Sequence, residues 1–168
     1  MDQKKPRIII VNENDEIIGY KDRRQVTRND IYRVSALWIK NSKGEYLLAQ
    51  RSFDKVHNPG QWGPAVAGTI EEGETYESNI VKEAEEEIGL KNFDYHIAGK
   101  SRRTGRLERY NFFCQWFVAL LDRKVEDFHI DHSEVEQLRW YSRAELEEKI
   151  RSRTTKFFSS LEYCLNNL

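Results

Sequence analysis

Residues 68–90 read GTIEEGETYESNIVKEAEEEIGL, and this stretch decides how the rest of the chain is interpreted. Its second half predicts a helix over residues 75–88, and Glu83, Glu86 and Glu87 are spaced so that they share one face of that helix. Like charges in this arrangement cost roughly 0.2–0.5 kcal/mol per pair even when exposed to water. A positive group is therefore expected to face the three carboxylates.

Two interpretations of this acidic face remain open. Lys82 is next to Glu83 in the sequence, but its side chain projects about 100° away around a helix, so we do not expect it to offset the charge. A hard divalent cation is the better candidate, because Mg²⁺ and Mn²⁺ prefer oxygen ligands and leave positions open for phosphate oxygens. Taken alone, the same glutamates are also typical of a solvated acidic helix face.

The composition of the chain limits its class. It has 168 residues and a formal net charge of −1, which fits one domain over residues 1–168 and argues against a general nucleic-acid or anionic-membrane surface. No apolar run approaches the roughly 20 residues of a membrane-spanning helix, and the apolar run near the N-terminus is too short for a secretory signal. Cys114 and Cys164 have no CxxC spacing and are expected to be reduced thiols. We therefore expect a cytoplasmic protein that does not bind a membrane.

Hydrophobic patterning and turn residues outline the fold. Residues 7–22 predict an N-terminal β-hairpin around a polar turn, and RVSALWIKNSKGEYLLAQR predicts a second hairpin. The segment SFDKVHNPGQWGP predicts a long loop, and RYNFFCQWFVALLD predicts a long strand. Residues 143–166 predict two C-terminal helices, RAELEEKIRS and TKFFSSLEYCLNN. Strands combined with a few helices indicate a layered α/β or α+β domain with a mixed sheet.

Residues 68–90 also match a long sequence pattern. They resemble the Nudix box, which has Gly, five residues, Glu, seven residues, Arg-Glu, an aliphatic residue, any residue, Glu-Glu, any residue, Gly and an aliphatic residue. Every gap length agrees, and one position departs from the pattern, because Lys82 stands where the family has Arg. The matching positions are Gly68, Glu74, Glu83, Ala84, Glu86, Glu87, Gly89 and Leu90. A motif of this length favours the metal interpretation of the acidic face.

The resemblance implies a Nudix-like α/β/α sandwich and an enzyme that uses Mg²⁺ or Mn²⁺. Nudix proteins typically hydrolyse a diphosphate bond in a nucleoside di- or triphosphate, or in a nucleoside diphosphate linked to another group. By position, Glu83 and Glu87 resemble the main metal ligands, Glu86 a third ligand or a partner of a metal-bound water, and Gly68 a carbonyl ligand. The implied partner is a small diphosphate, expected to be a nucleotide and not a nucleic-acid polymer. The oligomeric state is open and includes a homodimer.

The departure at position 82 concerns one carboxylate in particular. In the family the arginine holds a catalytic glutamate by a planar two-pronged contact, which the ammonium group of Lys82 cannot reproduce. We expect the site to assemble with a less fixed Glu83. Glu74 belongs to the box by its position, and it also stands just before the helix, where the helix dipole favours a carboxylate.

Residues 8–145 resemble the branch of the family that includes type I isopentenyl-diphosphate isomerase. The likeness lies in VNENDEIIGYKDR, QRSFDKVHNPGQW and GPAVAG. In the isomerases a basic pair spaced like Arg51 and Lys55 holds the substrate diphosphate, which two cations beside a Pro/Gly-rich loop are chemically suited to do. Trp62 also fits the branch, either as a substrate contact or as a core or lid aromatic.

The isomerase hypothesis meets a difficulty in the sequence itself. The essential cysteine of the isomerases corresponds to Ala67, which has no proton to donate, and the metal-binding histidine two residues later corresponds to Thr69. Hydrolysis is therefore favoured over isomerisation. A third hypothesis is a nucleotide sensor that kept the fold without catalysis, and the intact set of acids argues against it.

Two acids outside the box complete the candidate site. Glu108, in RLERYNFF, resembles the acidic strand residue of the isomerases, and Glu134 precedes the last strand, where a loop residue closes over the metal site in related enzymes. Each is alternatively a surface carboxylate. The residues expected to act in catalysis are Glu83, Glu86 and Glu134, and those expected to support them are Glu74, Lys82 and Glu108.

Overall fold

The computed structural model describes residues 6–105 and 110–167. Within these ranges the chain forms nine strands and three α-helices. The strands are β1 (Arg7–Val11), β2 (Ile17–Asp22), β3 (Ile31–Lys40), β4 (Tyr46–Arg51), β5 (Trp62–Pro64), β6 (Val66–Thr69), β7 (His96–Gly105), β8 (Tyr110–Leu120) and β9 (Val135–Tyr141). The helices are α1 (Tyr76–Ile88), α2 (Arg143–Ser152) and α3 (Ser160–Asn167). The N-terminal hairpin predicted for residues 7–22 is therefore present.

Strand β3 organises the sheet, because four other strands pair with it. Strand β8 runs parallel to β3, whereas β1, β4 and β6 are antiparallel to it. Strand β2 pairs with β1 and extends the sheet at that edge. Strand β4 pairs with both β5 and β9, and β8 pairs with β7. The sheet is therefore mixed, as the sequence pattern indicated.

Helices cover both faces of this sheet. Alternate residues of a strand point to opposite faces, and in β3 this divides the core in two. Leu37 and Ile39 are fully buried in a cluster that includes α1, whereas Ala36 and Trp38 belong to a second cluster that includes α2 and α3. The arrangement is an α/β/α sandwich, which confirms the predicted fold class.

Local sequence signals explain both ends of α1. At its N-terminus the Thr75 hydroxyl accepts a hydrogen bond from the Ser78 N–H, and the Ser78 hydroxyl accepts one from the Thr75 N–H, which together form a capping box. At its C-terminus Gly89 adopts a left-handed conformation with φ 66°, and its cap N–H groups bond back to the last turn. The stripe that α1 buries against the sheet includes Ile80, Ala84 and Ile88.

The N-terminal hairpin lies against the loop that precedes α1. The Ile9 N–H donates to the Ile70 carbonyl at 3.2 Å, and the Glu72 N–H donates to the Arg7 carbonyl at 2.7 Å. The Arg7 guanidinium also binds both carboxylate oxygens of Glu72, at 2.6 and 2.7 Å. These bonds fix the course of residues 70–72 and so the direction from which the chain enters α1.

The tip of the hairpin is tied to the same helix through Asp15. The Asp15 carboxylate accepts hydrogen bonds from Arg33 Nε at 2.7 Å, from Lys100 Nζ at 2.6 Å and from the Tyr76 hydroxyl at 3.0 Å. Burial alone would raise the pKa of Asp15, but these three bonds outweigh it and lower the pKa. Asp15 is therefore a charged anchor between the hairpin, the sheet and the first residue of α1.

Two expectations about irregular segments are wrong in part. The pattern predicts a loop throughout residues 52–64, whereas the structure forms β5 at its end, paired with β4. The pattern also starts the last helix near residue 155, whereas α3 begins at Ser160. The segment before α3 is extended because the Lys156 carbonyl and the Phe158 N–H bond to the backbone of β5. Both differences come from pairing between segments that are distant in the sequence.

The two cysteines are free thiols in the interior of the fold. Cys114 and Cys164 are both buried free thiols, and burial is the main cause that raises the pKa of Cys164 to about 12. Thiols with such a pKa are poor nucleophiles at neutral pH. Of the helices in the described ranges, each is too short or too polar to cross a bilayer.

Replacing Gly89 by alanine is expected to destabilise the protein more than replacing Gly44. Both glycines have positive φ, 66° and 76°, which costs an alanine about 1–2 kcal/mol. Only at residue 89 would the new Cβ meet other atoms, because it would lie 2.7 Å from His129 Cβ. Urea unfolding followed by tryptophan fluorescence measures both changes in the free energy of unfolding. Equal losses for Gly89→Ala and Gly44→Ala would show that the contact with His129 is unimportant.

Candidate active site

The glutamates of α1 differ in how far solvent reaches them. Glu87 is buried, with 8% of its surface exposed, Glu83 has 17% of its side chain exposed, and Glu86 is exposed. Glu85 is also exposed, and its carboxylate lies 2.7 Å from Lys91 Nζ. The helix phase agrees with the sequence for Glu83, Glu87 and Glu85, because the first two turn inward and Glu85 turns to solvent. Glu86 departs from it, because it is exposed although its spacing grouped it with Glu83 and Glu87.

One cavity collects predicted site residues from four separate segments. Glu87 of α1, Arg51 at the end of β4, Ala67 of β6 and Glu134 before β9 all line it. The other lining residues are Ala49, Pro64, Ala65, Val135 and Phe158. A buried carboxylate, a second carboxylate and a guanidinium therefore face one space at the side of the sheet.

The predicted substrate-binding pair, Arg51 and Lys55, belongs to this region. Arg51 lines the cavity, and its Nε donates to the His57 carbonyl at 2.7 Å. Lys55 Nζ lies 2.5 Å from Glu134 Oε1, and the Ser52 N–H donates to the Glu134 carbonyl at 2.9 Å. The loop after β4 and the loop before β9 are therefore joined beside the cavity.

Glu87 is an unusual acid because of where it lies. Burial, followed by the charges of Glu83 and Glu134, raises the pKa of Glu87 to about 8. The Ala67 N–H and the Arg51 guanidinium act in the opposite direction without compensating. Near neutral pH the protonated form of Glu87 therefore predominates, and a cation bound beside it would favour the charged form.

The contact between Gly68 and Glu83 explains why the motif begins with a glycine. A Cβ on residue 68 would lie 2.4 Å from Glu83 Cγ and 2.6 Å from Glu83 Cδ, which is shorter than any normal contact. Only a residue without a side chain leaves room for the Glu83 side chain against β6. Metal binding by the Gly68 carbonyl stays a prediction.

The expectation that Lys82 does not offset the charge of the acidic face is wrong for Glu83. Lys82 Nζ lies 2.6 Å from Glu74 Oε1, 3.4 Å from Glu83 Oε1 and 3.7 Å from Glu71 Oε2. The lysine stem is long and flexible enough to turn back toward its neighbour, although the two side chains leave the helix in different directions. Burial alone would lower the pKa of Lys82, but its contacts with these carboxylates raise it, so the ammonium group stays charged.

Glu74 lies at the centre of this cluster and does more than face the helix dipole. Its Oε2 accepts hydrogen bonds from the Glu71 N–H and from Asn79 Nδ2, each at 2.9 Å. Burial would raise the pKa of Glu74, but the bonds from Lys82, Glu71 and Asn79 outweigh it and lower the pKa. The sequence pattern did not indicate Glu71 and Asn79 as members of this cluster. The available signal for Asn79 was its spacing, four residues before Glu83 on the same side of α1.

Two other predicted site residues have a different outcome. Trp62 is 7% exposed and lies edge-on to Tyr141, with ring centroids 5.4 Å apart. It belongs to the core cluster with α2 and α3, which favours the core role that the sequence left open. Glu108 lies outside the described residues.

A family comparison bears on the whole arrangement. The model of the NUDIX domain matches residues 31–161, which is well over half of the chain. The chain belongs to the Nudix family. This confirms the resemblance found in the box, and it confirms the expected enzyme class, a Nudix hydrolase.

Similar proteins place this Nudix chain among hydrolases and isomerases. An uncharacterized Nudix hydrolase of Listeria monocytogenes is 27% identical over 140 residues, which cover 82% of this chain and 80% of that one. An isopentenyl-diphosphate Delta-isomerase of Photobacterium profundum is 26% identical over 175 residues, which cover 96% of each chain. Both kinds of relative agree with the predicted branch of the family.

Solved structures confirm the Nudix fold. A crystal structure from Deinococcus radiodurans aligns with a TM-score of 0.80 at 21% identity, over 95% of this chain and 97% of that one. The NUDIX domain of Shewanella oneidensis NrtR, solved with ADP ribose, aligns with a TM-score of 0.66 at 15% identity, over 87% and 90% of the two chains.

The residue that stands in place of the isomerase cysteine lies at the site itself. Ala67 lines the same cavity as Glu87 and Glu134, so position 67 contributes a methyl group and no thiol to this cavity. Cys114 is no substitute, because it is 1% exposed in the core cluster on the side of α2 and α3.

The donor chemistry of the site fits a hard cation. In residues 6–105 and 110–167 no three His, Cys, Asp or Glu side chains already converge on one metal position. The reason is visible in the contacts, since Glu83 bonds to Lys82 and Asn79, and Glu134 bonds to Lys55. Carboxylate oxygens are the ligands that Mg²⁺ and Mn²⁺ prefer, and burial of Glu83 and Glu87 among like charges raises both pKa values, which a divalent cation would relieve.

We expect Glu87 to make the metal-free protein less stable as the pH rises from about 5 to about 8. The folded-state pKa of about 8 lies above the ordinary 4.5. The folded state therefore holds the proton more tightly, and the stability this contributes is complete below pH 4.5 and lost as the pH passes 8. Each pKa unit corresponds to about 1.4 kcal/mol.

Urea unfolding of wild type and Glu87→Gln in EDTA, at several pH values, tests this expectation. Glutamine resembles the protonated acid and does not titrate, so the difference in unfolding free energy should shift in favour of Glu87→Gln as the pH rises. A difference that stays constant between pH 5 and 8 would contradict the raised pKa.

Proposed function

We propose that this Nudix hydrolase cleaves a diphosphate bond in a nucleoside di- or triphosphate, or in a nucleoside diphosphate linked to another group, with Mg²⁺ or Mn²⁺ as its cofactor. The observation that carries the proposal is the shared cavity of Glu87, Glu134 and Arg51. A carboxylate pair suits a cation, and a guanidinium beside it suits a phosphate. A diphosphate needs both, because its own negative charge repels an attacking water.

In this proposal the acids of α1 hold the metal. Glu83 and Glu87 would be its main ligands, Glu86 would be a third ligand or the partner of a metal-bound water, and the Gly68 carbonyl would be a further ligand. A bound divalent ion neutralises charge on the diphosphate and lowers the pKa of a water that it binds. The contact of Glu83 with Gly68 keeps this carboxylate at the strand, and Lys82 and Glu74 support it.

The substrate groups belong to the loops around the cavity. Arg51 and Lys55 bind the phosphates, for which Lys55 exchanges its contact with Glu134 for one with the substrate. Glu134 is then free to accept a proton from the attacking water or to join the metal ligands. A nucleotide substrate is supported by the ADP ribose bound to the NrtR domain, a protein that shares this fold.

The sequence further supports a cytoplasmic location, and we propose it on that ground.

The alternative, an isomerase of the isopentenyl-diphosphate type, is favoured by a relative of that name that covers 96% of the chain. It is opposed by Ala67, because a methyl group cannot donate the proton that isomerisation needs at that place. A non-catalytic nucleotide sensor is opposed by the crowded carboxylates, which binding of an anion alone would not require.

Hydrolysis is expected to require Mg²⁺ or Mn²⁺ and to stop in excess EDTA, whereas the fold persists because α1 still buries its apolar stripe. Chromatography of products from a panel of nucleoside triphosphates, nucleoside diphosphate sugars and ADP ribose measures activity, and circular dichroism measures folding. Full hydrolysis in EDTA would contradict the metal requirement. Conversion of isopentenyl diphosphate, tested in the same panel, would establish the isomerase alternative, and nucleotide binding without any cleavage would establish the sensor.

Glu83→Gln is expected to lower turnover about 100-fold or more, because it removes a metal ligand while nearly preserving shape. The metal-free variant should be as stable as wild type or slightly more stable, since burial raises the pKa of Glu83. Glu85→Gln is the matched control, because Glu85 is exposed on the same helix and contacts Lys91. Steady-state kinetics and thermal unfolding of both variants test this assignment. Comparable damage from the two substitutions would show that the ligands are assigned to the wrong side of α1.

A further inference from the structure

Asn79 is a buried polar residue on the inner side of α1. Its exposed surface is 0%, as is that of Ser35 on the facing strand β3. It precedes Glu83 by one helical turn and lies next to the loop that carries Glu74. Burying an amide is unfavourable unless its hydrogen bonds are made, so the partners of Asn79 indicate what it does.

The partners of Asn79 fix the orientation of its amide. The Ser35 hydroxyl donates to Asn79 Oδ1. On the other side, Asn79 Nδ2 lies 2.9 Å from Glu74 Oε2, 3.2 Å from Glu83 Oε1 and 3.4 Å from the Thr69 carbonyl oxygen. The two shorter of these bonds go to carboxylates. The reverse orientation would turn the amide oxygen toward both carboxylates, which only accept hydrogen bonds when ionised.

Lys82 contacts the same two carboxylates from the solvent side. Its side chain is 34% exposed, and its single nitrogen is shared among Glu71, Glu74 and Glu83 at 2.6 to 3.7 Å. An ammonium group is a compact charge on a flexible stem, so it offsets the negative charge without fixing the orientation of the carboxylate plane. A planar amide that is itself held in one orientation does fix the orientation of the carboxylate to which it donates.

We propose that Asn79 is a positioning residue of this site, which orients the carboxylate of Glu83 for metal binding while Lys82 supplies the compensating charge. The inference rests on the proposed function and extends it to a residue outside the motif. Ser35 supports Asn79, because its hydroxyl donates to Oδ1 and so keeps Nδ2 directed toward the carboxylates. Partners that orient a metal ligand typically change metal affinity or activity 10- to 100-fold when they are removed.

The first experiment compares Asn79→Ala with wild type and with Ser78→Ala. Titration calorimetry with Mn²⁺ alone, steady-state kinetics and thermal unfolding are the three readouts. For Asn79→Ala we expect Mn²⁺ affinity and kcat each to fall about 10- to 100-fold, with KM for the substrate nearly unchanged. Ser78→Ala breaks the capping box of the same helix and lowers the Tm, but it should leave Mn²⁺ affinity and kcat as they are.

The second experiment tests the orienting role by rescue. In the Asn79→Ala background, Lys82→Arg should recover part of the lost Mn²⁺ affinity, because a guanidinium offers two directed donors where the ammonium offers a shared charge. Ser35→Ala removes only the bond that orients the amide and should weaken Mn²⁺ binding roughly 2- to 10-fold. It also provides the measurement if Asn79→Ala does not fold.

The outcomes separate this inference from the proposed function. Wild-type protein that binds no Mn²⁺ and cleaves no diphosphate would refute the proposed function, and the inference with it. Wild-type protein that binds Mn²⁺, combined with unchanged affinity in Asn79→Ala and Ser35→Ala, would refute the inference alone. A loss of affinity that matches the loss of Tm in both Asn79→Ala and Ser78→Ala, without rescue by Lys82→Arg, would show a structural role only.

Discussion

Glu87 is buried where the end of α1 meets strand β6, and burial among the charges of Glu83 and Glu134 raises its pKa to about 8. A buried carboxylate with others close to it is unfavourable unless cations or hydrogen-bond donors face them. Cationic side chains around the cavity partly offset this negative charge. Arg51 faces the cavity and Lys55 contacts Glu134. The divalent ion that we propose would offset the remaining negative charge.

The fold keeps these carboxylates in place because α1 is fixed along its whole length. An apolar stripe holds the helix on the sheet, a capping box begins it, and a left-handed glycine ends it. The N-terminal hairpin adds a further restraint, since its first strand bonds to residues 70–72 and its tip bonds through Asp15 to Tyr76. The missing side chain at Gly68 then lets Glu83 lie directly against β6. A helix that shifted along the sheet would lose this contact.

Two kinds of donor support the carboxylates of Glu74 and Glu83. Lys82 supplies charge from the solvent side, and Asn79 supplies direction from the buried side. A lysine is therefore compatible with an ordered site, although an ammonium cannot bind a carboxylate in the planar manner of a guanidinium. The lining of the cavity also bears on the choice between hydrolysis and isomerisation, the two activities named for relatives of this chain. Ala67 lies beside the acids, so carboxylates and a guanidinium line this cavity and position 67 contributes no thiol to it.

The sequence by itself determined the extent of α1 and the spacing that groups Glu83, Glu86 and Glu87 on one side of it, because these follow from periodicity and from a motif with every gap intact. The resemblance to the family implied the sandwich. The tertiary structure decided that Glu83 and Glu87 turn inward while Glu86 stays exposed. The resemblance named Arg51 and Glu134 as candidates, but only the tertiary structure shows that they lie together. It brought Arg51, Ala67 and Glu134 to one cavity, and it placed Trp62 in the core, through strand pairing and loop contacts that leave no local pattern. It also decided the direction of Lys82. Helix geometry sets where a side chain starts, but the end of a long flexible chain goes to the carboxylates that the fold has gathered around it.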